Sequence, residues 1–269
     1  MNILQERCVA CDKELPYTIL SSVGQLCDTC KKQGLFRKKL IITGITRMER
    51  GNICVSGIDP ETWRFVRPVY PGGINRDFVM EGATQIIRHF NLVEMEFIKY
   101  DPQHIHHNED WIVNENFAPK YIRHLNNQEI IKVLEKMSIS NLNEAIDRMD
   151  KSLFIVKARG IIRIWDEHQY GKFKVRINFV DYSRNIFEKI PVSDLLVLAK
   201  VRWMIRNGKR YSYEMMNIFN NNPFRYIRIG LTREFHGQYW KQVTALITIP
   251  DMFDGETFAD YEKKLGDQV

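Results

Sequence analysis

Lys172-Phe173-Lys174-Val175-Arg176-Ile177-Asn178-Phe179 alternates without a break. Phe173, Val175, Ile177 and Phe179 fall on one side, and Lys172, Lys174, Arg176 and Asn178 on the other. A period of two is the signature of a strand with one face in a core and one in water, and here the wet face is basic. Outward from this strand, Leu153 to Ile164 reads as a strand before it and Ile186 to Val192 as one after it. Ser193 is then predicted to cap a helix running to about Arg206, and Tyr226–Thr232 and Tyr239–Ile249 complete the set as strands. Three strands, a helix and two strands is the order of a five-stranded OB barrel.

The first half carries a matching pattern. Leu40–Thr46, Asn52–Ile58 and Trp63–Val69 are apolar, β-branched runs, separated by the turn Asp59-Pro60-Glu61-Thr62 and stopped at Pro71-Gly72-Gly73. Leu92–Tyr100 adds a strand. Between the halves, Ile130, Leu134 and Met137, then Leu142, Ile146 and Met149, recur at helical spacing, which predicts two short helices with a cap at Ser140.

Four cysteines precede the barrels. Cys8-Val-Ala-Cys11 and Cys27-Asp-Thr-Cys30 are two CxxC pairs, fifteen residues apart. Each pair sets two thiolates on one tight turn, and two such turns make a closed tetrahedral sulfur shell suited to a structural zinc ion. Residues 12–26 are long enough for a short hairpin between them. The fold class expected is therefore mainly β with α: a small zinc ribbon followed by two OB-like β-barrels joined by helices. The divisions are 1–36 ribbon, 37–124 first barrel, 125–151 helical connector, 152–250 second barrel and 251–269 acidic tail. The tail carries six acidic and two basic residues from Pro250 to Val269 and is expected to be a solvated helix or a frayed end.

KFKVRINFVDYS (172–183), PVSDLLVL (191–198) and YIRIGLTREFHGQYWKQVTALI (226–247) resemble the prokaryotic family of dual OB-containing domain proteins. ICVSGIDPETWRFVRPV (53–69) is similar to that family's early hairpin, and NEDWIV (108–113) to its short motif after the first barrel. The resemblance covers roughly residues 40–250. It implies tandem OB barrels and a nucleic-acid-binding role of the kind associated with bacterial and phage conflict systems. The ribbon is an addition whose role the family does not settle, and no catalytic residue carries over.

Charge points the same way. The net charge is +6, which favours an anionic partner. Lys31 to Arg76 holds ten basic and three acidic residues, and Lys200 to Arg233 eight and one. OB barrels bind single strands with basic side chains along the phosphates and aromatics under the bases. The candidate contacts are Lys38, Lys39, Arg64, Arg67 and Tyr70 in the first half and Lys172, Lys174, Arg176 and Arg228 in the second. The partner expected is DNA or RNA, with a protein partner in a multi-subunit system also in view. No apolar run reaches the roughly 18 residues of a membrane span. The polar start MNILQERC is unlike a signal peptide, so the expected location is the cytoplasm.

Two other readings stand beside a non-enzymatic sensor or targeting subunit in prokaryotic defence. One is a protein–protein adaptor built on barrels and ribbon. The other is a metal-dependent nuclease using Asp181 and Asp194. His104, His106, His107, Glu109 and Asp110 lack the spacing of a helical zinc motif and read as a polar loop.

Overall fold

The computed structural model describes residues 7–15, 26–32, 34–48, 51–70, 73–102, 107–148, 150–169, 171–234 and 238–266. The middle of the expected ribbon hairpin (16–25), His104, His106 and Met149 lie outside the described residues. Two compact units divide the chain. One holds residues up to Thr43, Asn52–His124 and Arg148–Ser152; the other holds Gly44–Gly51, Leu125–Asp147 and Leu153 onward.

The first unit begins with a short helix, α1 (Asp28–Lys32), and continues into β1 (Phe36–Arg47), β2 (Ile53–Asp59) and β3 (Arg64–Val69). A small hairpin, β4 (Met80–Glu81) and β5 (Thr84–Gln85), precedes β6 (Asn91–Tyr100), β7 (Asp110–Val113) and β8 (Lys120–His124). The strands follow the order β1-β2-β3-β7-β6 and β6 pairs back to β1, so the sheet closes. β3 and β7 run parallel and β1 and β6 antiparallel. That circuit is the OB one, with strand 5 between strands 3 and 4, and closure removes the sheet's edges. β8 lies beside β6 as an added strand. Leu40, Ile42, Val55, Ile58, Val93, Phe97 and Trp111 are buried in this unit. Gly57 is required within it, because a Cβ there would stand 2.7 Å from the Ile41 carbonyl oxygen.

The second unit opens with α2 (Asn127–Met137), β9 (Ser138–Ile139) and α3 (Leu142–Asp147). Asn126 caps α2 in a reciprocal box with Glu129. The expected cap at Ser140 is instead Asn141, whose Oδ1 accepts the Glu144 amide at 3.2 Å; the Ser140 carbonyl accepts from Ser183. Then follow β10 (Leu153–Gln169), β11 (Lys172–Asp181), β12 (Ile186–Val192), α4 (Leu195–Arg206), α5 (Tyr211–Asn221), β13 (Phe224–Leu231), β14 (Lys241–Ile249) and α6 (Phe258–Leu265). The order β11-β12-β14-β13-β10 closes through β10–β11, with β12 and β14 parallel. The chain thus repeats the OB circuit.

Three sequence expectations shift here. The cap of α4 is Asp194, whose Oδ1 accepts the Leu196 amide at 2.8 Å, while the Ser193 hydroxyl donates to the Val243 carbonyl. The insertion between strands 3 and 4 is two helices. The second, α5, covers the part of β10 beyond its pairing with β13: Asn220 holds both backbone groups of Ile161, Ser212 donates to Ile164 O, and the Tyr211 hydroxyl accepts the Asp166 amide. Those side chains do the work of a missing neighbour strand. The acidic tail is a packed helix: Phe258, Tyr261 and Leu265 of α6 are buried, and the Tyr261 ring lies 5.7 Å from that of Trp203 on α4. Its acids share the helix with an apolar stripe, and the stripe decides its placement.

Candidate functional site

The four cysteines converge. The Cys8–Cys11 turn is closed by the Asp12 amide donating to the Cys8 carbonyl at 2.9 Å, and Cys30 sits in α1, where the Lys31 amide donates to the Cys27 carbonyl. All four Sγ atoms lie within 4.8 Å of one another, and Cys11 and Cys27 are 3.8 Å apart. Four ligands at about 2.3 Å from a tetrahedral ion stand about 3.8 Å apart, so the geometry fits a metal held by thiolates. Burial opposes ionisation of Cys8, but backbone N–H groups of Cys27, Ala10 and Cys11 outweigh it and bring the thiol down to about 7. Burial, followed by the neighbouring sulfurs, pushes Cys30 well up. Among the described residues these cysteines are the one group of three or more side chains placed to share an ion.

Two residues predicted to touch nucleic acid serve this module instead. Lys38 is buried; its Nζ donates to the Ala10 carbonyl at 3.2 Å and to Asp59 Oδ2 at 2.7 Å, above the Trp111 ring. Arg64, half-exposed, donates to the Arg7 carbonyl and reaches Asp12 at 4.0 Å. Lys38 thus fastens the first cysteine turn to the barrel wall.

Arg67 is also an interior side chain. Its Nε donates to Asp110 Oδ1 at 2.6 Å, and its Nη1 lies 3.9 Å from Glu109. Ser152 donates to Glu109. Burial pushes the Glu109 carboxyl up, against the pull of Arg67. The expected polar loop therefore ends in two buried acids, with His107 buried beside them in sequence. Lys39 is exposed, but stands opposite Glu94 across the β1–β6 ladder, and its neighbour Arg37 pairs with Glu96 at 2.9 Å. Tyr70 is half-buried, its ring 6.3 Å from Phe78. The first barrel's candidates do not gather into one basic surface.

Arg228 is fully buried, and its Nη1 donates to Thr244 Oγ1 at 2.8 Å. A phosphate cannot reach it without opening the barrel, which removes it from the contact set. Lys172, Lys174 and Arg176 remain. They line the outer face of β11, as the alternation requires, while Val175, Ile177 and Phe179 are buried. Across the ladder Gln169 faces Lys172, Glu167 faces Lys174, Trp165 faces Arg176 and Arg163 faces Asn178. Arg163 lies over the Trp165 ring at 5.0 Å, and on β12 the exposed Lys189 donates its amide to Asn178. Glu167 shares this face, paired with Arg176 at 2.6 Å, and Glu188 is exposed beside Lys189 on β12. Sequence reasoning stopped the strand at Ile164 and so missed Trp165, and it left Arg163, inside that strand, out of the contact set; the run from Ile161 to Gln169, without Gly or Pro, was the available signal.

The two aspartates considered for magnesium have structural duties. Asp181 accepts from the Leu142 and Asn185 amides and from the Asn185 side chain, tying α3 to the end of β11. Asp194 caps α4. No described helix is long and apolar enough to cross a membrane.

The sequence profile described as dual OB-containing domain matches residues 38–246. This chain belongs to that family. The two OB circuits of this dual-OB chain are the structural counterpart of that match. A search of curated proteins finds no match. Among solved structures, that of the tetrameric p202 HIN2 is similar with a TM-score of 0.31 and 10% identity, covering 79% of this chain and 93% of that one.

Proposed function

We propose that this dual-OB chain binds nucleic acid, DNA or RNA, on the outer face of β10–β12 in its second barrel. The observation that carries this reading is the register that sets Trp165 beside Arg176 and lines up Lys172, Lys174 and Arg163 around it. Aromatic rings interleaved with cations are what a single strand needs, since bases stack on the ring and phosphates follow the charges. An OB barrel binds such ligands on the face of its second and third strands and in the loop between its first and second, and β10 extends that face here. The cysteine cluster holds a zinc ion in this proposal, because four thiolates at tetrahedral spacing suit a soft ion with no redox role. A place as a sensor or targeting subunit in a prokaryotic defence system is proposed on the family resemblance.

Titration of labelled single-stranded and duplex DNA and RNA into the full chain at low salt is the test. Trp165→Ala should weaken single-strand affinity by about 5- to 150-fold, from the roughly 1–3 kcal/mol that stacking contributes per base. Lys174→Gln should flatten the dependence of affinity on salt by about one ion. Absence of binding by the unaltered protein to all four ligands would end this reading.

A further inference from the structure

Two arginines of the second unit contact Phe173, next to the turn of the β10–β11 hairpin. Arg47 lies at the end of β1, where its amide donates to the Ser193 carbonyl. Its Nη1 donates to the Phe173 carbonyl at 3.1 Å. Arg202, on α4, places its guanidinium over the Phe173 ring, 5.0 Å from the centroid. Both are half-buried. Among the described residues neither has a carboxylate within 4.0 Å. Asp166 accepts from the Tyr211 hydroxyl and stands 4.0 Å from His168, whose ring lies 5.6 Å from Phe173.

Bringing two permanent cations together is unfavourable unless an anion joins them, and an arginine does not shed its charge at accessible pH. The repulsion registers on Arg47, whose affinity for its proton is lowered by burial and then by Arg202. Elsewhere this protein matches its buried arginines to acids or polar oxygens, as at Arg67 and Arg228. Here two forked donors meet one residue, Arg47 at the Phe173 carbonyl and Arg202 over its ring, and among the described residues most of their N–H groups have no other acceptor. A phosphoryl group, with several oxygens and at least one negative charge, suits that arrangement. Phe173 also lies between Lys172 and Lys174, the first cations of the outer face.

We propose that Arg47 and Arg202 form a phosphate clamp at the rim of the second barrel, taking a phosphodiester of a strand that continues off the outer face of β11. The identity of the strand rests on the nucleic-acid reading above, whereas the affinity for phosphate does not.

The test has two arms on the full chain. In the first, inorganic phosphate replaces chloride at matched ionic strength and the melting temperature is read. Phosphate should raise it for the unaltered protein, and Arg47→Gln and Arg202→Gln should each abolish the rise. Lys263→Gln, which removes the same charge from an exposed site on α6, should keep it. Arg202→Lys preserves charge without the fork and should retain only part of the rise, a check that does not depend on how the glutamine variants fold. In the second arm, a single-stranded oligonucleotide is titrated across salt concentrations, and each arginine variant should lower the slope by about 0.7. An equal rise with phosphate in the unaltered protein and both glutamine variants overturns the clamp, whatever the oligonucleotide does. A rise lost in the variants with unchanged oligonucleotide slopes overturns the assignment to a strand and leaves a site for free phosphate. A rise lost in the variants with no oligonucleotide binding by any form supports the clamp and overturns the nucleic-acid reading.

Discussion

A Cys27→Ser chain should be isolated nearly free of metal, with its 7–32 segment open to protease and its two barrels still melting cooperatively. The unaltered protein should carry about one ion per chain, zinc on the proposal above. The argument is one of scale. The described part of the module buries few apolar side chains besides the cysteines, chiefly Val9 and Leu15. Such a segment has no core able to offset its own ordering entropy. Metal supplies the difference: structural zinc contributes about 10–16 kcal/mol of apparent binding free energy in isolated zinc-finger peptides. Removing one of four thiolates should forfeit most of that. The barrels have cores of their own, so the damage stops at the fastening point, where Lys38 loses the Ala10 carbonyl but keeps Asp59. Inductively coupled plasma mass spectrometry and limited proteolysis read the two halves of the expectation. Full metal occupancy in the variant would sink it, as would loss of the barrels together with the module.

The strands were legible because their alternation is local. Phe173 to Phe179 declares its faces within eight residues, and the cysteine spacing declares a shared ion without any knowledge of the barrels. The contact residues were less legible, because a basic residue in a strand has two destinations. Lys174 and Arg228 look alike in sequence, each between apolar neighbours, yet the first is on the outer face and the second is fully buried against Thr244. What separates them is the side of the closed sheet that each faces, and the β-bulge in the pairing of β13 with β14, next to Arg228, blurs that parity. Lys38 and Arg67 were hidden for a different reason. Their partners, Asp59, Glu109 and Asp110, are 21 to 43 residues away, and only the closed circuit brings them together. Trp165 was within reach, but a 17-residue strand is longer than alternation alone suggested.

Asp194→Asn should flatten the protein's loss of stability between pH 4 and 7 and leave the variant the more stable form above pH 7. Asp194 is fully buried at the start of α4. Burial pushes its carboxyl up to about 7, against the amides of Leu196, Val197 and Leu246 and the charge of Arg228. In the unfolded chain the same group titrates near its ordinary value of about 3.9. Between those two values the folded state keeps a proton that the unfolded state has released, so stability falls as pH rises through the window. About three pH units at 1.36 kcal/mol each give a total of order 4 kcal/mol. Asparagine keeps the side-chain oxygen that accepts the Leu196 amide and is as good a cap as aspartate, but it has no proton to lose. Urea midpoints at pH 4.5 and pH 8 measure the effect. The two proteins should be close at the lower pH, with the variant ahead at the higher one. Glu109 is shifted in the same direction by its own burial and contributes to both curves alike, so the difference between the curves belongs to Asp194. Parallel curves from pH 4.5 to 8 would mean that the buried carboxyl is ionised throughout, with the α4 amides and Arg228 together outweighing the cost of its burial.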